Sequence, residues 1–122
     1  MKLEDRLKQI NIENYIFYIY FGIIILSLYA NKLEKKYLIY KDNQSKEKYR
    51  HIMILIFTIA ICVYLYYTYD SYTGLKDDNY SNEIKKYNNL SFFASSLVLI
   101  SGLIFLYIAY NDKDLNVELA FN

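Results

Sequence analysis

The chain has 122 residues, with 14 Lys and Arg against 13 Asp and Glu, for a net charge of +1. That balance leaves no basic footprint for nucleic acid, and a single cysteine cannot close an intrachain disulfide. With no Pro and only three Gly, turns must rest on Asn, Asp, Ser and Gly.

The N-terminal stretch Met1–Asn14 mixes Lys2, Arg6 and Lys8 with Glu4, Asp5 and Glu13. Leu3, Leu7 and Ile10 fall at i, i+4 and i+7, which predicts a helix lying at the interface or continuing into the first apolar run. That run is Tyr15–Ala30. Ala30 offers a signal-peptidase site, but Leu28 is large where a small residue is needed, and the preceding flank is as acidic as it is basic. The run therefore reads as a retained span. At about 1.5 Å per residue it reaches only about 24 Å, so Ile10 and Ile12 are expected to extend it. Tyr15, Tyr18, Gly22, Ile25 and Tyr29 share one face, where Gly22 would let a neighbouring helix approach closely.

Residues 31–51 form the most basic connection. Its cations are Lys32, Lys35, Lys36, Lys41, Lys46, Lys48 and Arg50. The ordinary reading is a positive-inside loop. The functional reading is contact with anionic lipid through Lys32, Lys35, Lys36, Lys46, Lys48 and Arg50, worth about 1 kcal/mol per residue near the surface. Asp42-Asn43-Gln44-Ser45 is the expected turn, with Ser45 as N-cap of the next helix.

The second run, Ile52–Tyr69, contains Cys62, read as an apolar filler. His51 at its edge is read as an interfacial polar residue. Residues 70–89 form a polar connection with turns expected at Gly74 and Lys76–Asn79. Asp77, Asp78 and Glu83 lack the alternating acids and central Gly of a calcium loop. Asn79-Tyr80-Ser81 is a glycosylation sequon.

The third run, Leu90–Tyr110, has 21 residues without a charge, about 31 Å as a helix and close to the ~30 Å hydrocarbon core of a bilayer. Ser95, Gly102 and Ala109 recur every seven residues, with Ser91 one turn before Ser95. Small residues on one seam mark close helix packing in lipid, either within the chain or with a partner. In the tail 111–122, Leu115, Val117, Leu119 and Phe121 alternate with more polar positions. That period predicts a strand that adds to a partner's edge, a loose tail, or a short interfacial helix.

The expectation is one all-α membrane domain, with three transmembrane helices in an antiparallel up-down-up bundle, helical extensions into the connections and a short tail. Counting cations places eight on the side of residues 31–51 and the tail, and six on the other. That predicts an outside N-terminus and a cytoplasmic C-terminus. Tyrosines at the ends of the runs then gather at one face as interfacial anchors, with a ring cage for a ligand as the rarer use.

No Asp, Glu, Lys, Arg or His lies inside any run, and such residues mark ion-coupled transport and proton relays. The connections are too short for an independent catalytic domain. We therefore expect a non-enzymatic protein with no cofactor, metal or small-molecule substrate. Its partners would be the bilayer and another membrane protein or a second copy. Two roles fit: a structural or accessory subunit of a membrane or virion assembly, and a pore former. In its three-span plan the chain resembles a phage holin, a resemblance of architecture alone. It implies a homo-oligomer lined by Ser91, Ser95, Ser96 and Ser101. The tail departs from that plan, since Asp112, Asp114 and Glu118 outnumber Lys113 where holin tails are commonly basic. A small immunity-type protein shares the same three-span economy.

Overall fold

A computed structural model describes residues 3–75 and 81–115. The described chain consists of three helices: α1 (Leu3–Tyr40), α2 (Asn43–Leu75) and α3 (Asn82–Asn111). Among the described residues there is no strand. Each helix is long and apolar enough to cross a membrane, and together they fit a small integral multi-pass membrane protein.

The helices outrun the apolar runs that announce them. At about 1.5 Å per residue, 38, 33 and 30 residues give about 57, 50 and 45 Å. Nothing in residues 3–40 breaks a helix, so the amphipathic start runs straight into the first apolar run. Most of the 31–51 connection is helical as well.

The break between α1 and α2 is two residues long. Lys41 adopts a left-handed φ of 55°, and its N–H still donates to the Tyr37 carbonyl at 2.7 Å. Asp42 then caps α2. Its side chain accepts from the Gln44 N–H at 3.1 Å, and its carbonyl accepts from the Lys46 N–H at 3.2 Å. This corrects the expected turn and cap. Ser45 is inside α2, buried, and donates its hydroxyl to Asp42 at 2.9 Å. The carboxylate takes the two donors on two separate oxygens, Oδ1 from Gln44 and Oδ2 from Ser45, where a serine has a single oxygen. Gly74 also lies within α2 rather than in a turn. Ser81 caps α3, its side chain accepting from the Ile84 N–H at 3.3 Å. The Asn79-Tyr80 part of the sequon lies outside the described residues.

α2 is the middle element and packs against both others. Among the described residues no Cα of α1 lies within 8 Å of one in α3. The main core sits where α1 ends, α2 begins and α3 ends. There Ala30 and Leu33 of α1, Tyr49, Met53, Ile56 and Phe57 of α2, and Ala109 of α3 form one buried cluster. Further from the Lys41–Asp42 link, burial thins to Ile16 of α1 and Val63 of α2.

Candidate functional site

The third helix meets α2 along the small-residue seam. Gly102 faces Ile61 so closely that an added Cβ would lie 3.3 Å from the Ile61 Cγ1. Ala109 is 5 % exposed in the main core. Ser95 is half-buried, and Ser91 Oγ lies 3.0 Å from Ser71 Oγ of α2. Small side chains let the two backbones approach, and dispersion contacts accumulate where they do. Phe57 stacks on Phe105, with ring centroids 5.5 Å apart, in the same interface. Near the start of α3, Asn88 donates to the Gly74 carbonyl at 3.4 Å. An added Cβ at Gly74 would come within 3.1 Å of that amide. Gly74 therefore does for the α2 end what Gly102 does at mid-span. Spacing alone does not reveal the Gly74–Asn88 or Phe57–Phe105 pairs, because each joins residues far apart in sequence.

Gly22 stands apart from this seam. A Cβ added there would meet nothing within 4 Å. Tyr15, Tyr18, Ile25 and Tyr29 on the same face are all exposed. The close approach expected at Gly22 is not made by α2 or α3.

The basic residues divide into two groups. Lys32, Lys35, Lys36 and Lys48 are exposed. Lys46 and Arg50, grouped with them by sequence, are turned toward the end of α3. Arg50 donates from Nη2 to the Tyr110 carbonyl at 2.9 Å and pairs through Nη1 with Glu47 at 3.2 Å. Its side chain is 11 % exposed. Lys46 pairs with Asp114 at 3.6 Å and sits 5.6 Å above the centre of the Tyr37 ring. The last turn of α3 carries no basic residue of its own, so Arg50 supplies from α2 the positive charge that a helix C-terminus favours. Lys36 lies 3.7 Å from Asp42. The Ser45 hydroxyl beside Asp42 holds its carboxyl below the usual carboxylate range, helped by the Gln44 N–H and the Lys36 charge.

At the opposite end the ties are polar and aromatic. Gln9 of α1 donates to Asp70 of α2 at 3.3 Å. Tyr64, Tyr66 and Tyr67 lie ring to ring at 5.6–5.8 Å, and Tyr72 meets Phe92 at 5.8 Å. Among the described residues no group of His, Cys, Asp and Glu could hold a metal ion. Cys62 and His51 are both exposed.

Of the expected partner strand only Leu115 is among the described residues. Leu115 has a left-handed φ of 56° and packs against the main core, a conformation that no strand shares. Val117, Leu119 and Phe121 lie outside the described residues.

Compared with known proteins, the chain matches no family model, no curated protein and no solved structure.

Proposed function

We propose that this is a non-enzymatic integral membrane protein that works by contact, as a structural or accessory subunit of a membrane or virion assembly. In this reading the helices cross up, down and up, with the N-terminus outside and the 31–51 connection in the cytoplasm. The end-to-end ties support the antiparallel crossing, Gln9 with Asp70, Ser71 with Ser91 and Arg50 with Tyr110, while the sidedness rests on the Lys and Arg count.

The observation that carries the proposal is the open face at Gly22. Gly102 and Ala109 are engaged by α2, so the α3 seam is spent within the chain. Gly22 keeps its small profile with nothing against it, among Tyr15, Tyr18, Ile25 and Tyr29. A glycine at mid-span costs helix propensity, and close approach by a second helix is its usual compensation in lipid. The partner is another membrane protein or a second copy of the chain, and the exposed Lys32, Lys35, Lys36 and Lys48 hold anionic lipid beside it.

The test is Gly22→Leu in the full chain, purified in mild detergent and weighed by native mass spectrometry. We expect the wild type to retain a stoichiometric second subunit and the variant to lose it, with the helical circular-dichroism signal and melting temperature unchanged. A variant that keeps the same subunit overturns the Gly22 interface. A wild type that runs as a lone chain overturns the accessory-subunit reading.

The pore alternative needs its serines on one face. At about 100° per residue, Ser95, Ser96 and Ser101 sit about 40°, 140° and 280° round from Ser91. Ser91, Ser95 and Ser101 thus share an arc of about 120°, and Ser96 lies outside it.

A further inference from the structure

The α2–α3 interface has a gap at its centre. A cavity of about 170 Å³ lies between Phe57, Ala60 and Tyr64 of α2 and Val98, Ser101 and Phe105 of α3. No residue of α1 lines it. Ala60 and Ile61 are at the middle of the Ile52–Tyr69 run, and Ile100 is at the middle of Leu90–Tyr110. The cavity is therefore at the bilayer midplane, among walls that carry no charge. Its cause is local. Ala60 and Ser101 are too small to fill the space, while Gly102 against Ile61 and the Phe57–Phe105 stack set how far apart the walls stand.

We propose that this cavity is a binding site for one hydrocarbon chain of a membrane lipid. Three observations select that occupant. The depth leaves alkyl chains as the local solvent, so a polar ligand would lose its hydration with only the Ser101 and Tyr64 hydroxyls to replace it. The size is right, because an apolar cavity of about 150 Å³ stays dry and takes a benzene-sized molecule. A helix is too large, since a rod about 10 Å across needs about 800 Å³ over the stretch from Val98 to Phe105. The bound chain supplies the dispersion contacts that the walls lack, and it completes an interface that α1 leaves open. The site is independent of the accessory-subunit reading, because it uses the chain's own α2 and α3 and no partner.

The experiment uses the full chain in phospholipid vesicles doped with a phosphatidylcholine whose acyl chain carries a diazirine near its terminal methyl. After illumination, adducts are mapped by mass spectrometry. The comparison is between the cavity walls and the outward residues Leu65, Leu103 and Ile104 at similar depth. We expect wall adducts severalfold denser than outward ones. Ala60→Leu and Ser101→Leu fill the cavity from opposite walls, and each should bring wall labelling down to the outward level without changing the outward residues. Wall labelling at or below the outward level in the wild type, or unchanged in both variants, overturns the proposal. A free benzene-sized diazirine that labels the walls where the lipid does not would reassign the cavity to small apolar molecules and overturn the lipid assignment.

Discussion

The two ends of this molecule are held by different physics. Around the Lys41–Asp42 link, α1, α2 and α3 share a buried apolar cluster in which Ala30, Ile56 and Phe57 have no exposed surface. At the other end the helices are joined mainly by isolated polar contacts, Gln9 to Asp70, Ser71 to Ser91 and Asn88 to Gly74, beside the single Tyr72–Phe92 ring pair. Polar contacts between membrane helices average about 0.6 kcal/mol, whereas a close-packed aromatic makes tens of dispersion contacts. Cohesion is therefore concentrated at the basic end, and opening should begin at the other.

The harshest way to break that contrast is Phe57→Ala. It removes a fully buried ring and its stack on Phe105, and should cost about 3 kcal/mol. Phe93→Ala, on an exposed ring of α3, should stay within about 0.5 kcal/mol. Unfolding in mixed micelles with rising SDS measures both. Equal losses would mean that the core is not where the burial places it.

Next in size is Arg50→Met, which keeps the apolar stem but strips the bonds to Tyr110 and Glu47. Hydrogen bonds from charged groups are worth about 1.5–3 kcal/mol, so a loss of about 2 kcal/mol is expected in the same assay. Gln9→Leu, at the polar end, should lose under about 1 kcal/mol. A larger loss for Gln9→Leu would invert the comparison.

Acid sharpens it further. The Asp42 carboxyl titrates below its ordinary value of 3.8, with the Ser45 hydroxyl as the main cause. A depressed carboxylate stabilises the fold above its unfolded value, and that contribution is lost as pH falls through the lower folded value. Stability should thus hold from neutral pH down to about 4 and fall below it. Asp42→Asn, which retains a cap but cannot titrate, should flatten that part of the curve. Identical acid profiles for the two proteins would remove Asp42 from the account.

The smallest effect is a gain. Lys41 occupies a left-handed conformation that costs an L-residue about 1–2 kcal/mol. Glycine adopts it freely but loses about 0.5–1 kcal/mol more chain entropy. Lys41→Gly should therefore raise stability by about 0.5 kcal/mol, read from the same SDS titration.

The three apolar runs were legible because an uncharged stretch of bilayer length has few other uses. Helical extension into the polar flanks was legible too, from the Leu3, Leu7 and Ile10 spacing, but the position of the break was not, since it depends on caps and on neighbouring helices. Asp42 illustrates this: the Asp42–Ser45 cluster marks a break, but only the three-dimensional arrangement shows the carboxylate taking both donors and drawing Ser45 inward. Arg50 illustrates a harder limit. Its acceptor is the backbone carbonyl of Tyr110, 60 residues away, and every residue has such a carbonyl. Gly22 and Gly102 look alike in sequence, both being small residues on a helical face, and only the fold distinguishes the engaged glycine from the open one.

The two-residue link has a mechanical consequence. From Tyr40 to Asn43 the chain takes three Cα steps of about 3.8 Å, about 11 Å at full stretch. Side-by-side helix axes already stand about 8–10 Å apart. The link has no slack left for sliding, and because the helices on either side continue unbroken, none is stored elsewhere. The first two apolar runs are thus locked to a common height, like the legs of a staple. When the surrounding bilayer thins, the pair must lean together, since neither leg can sink alone.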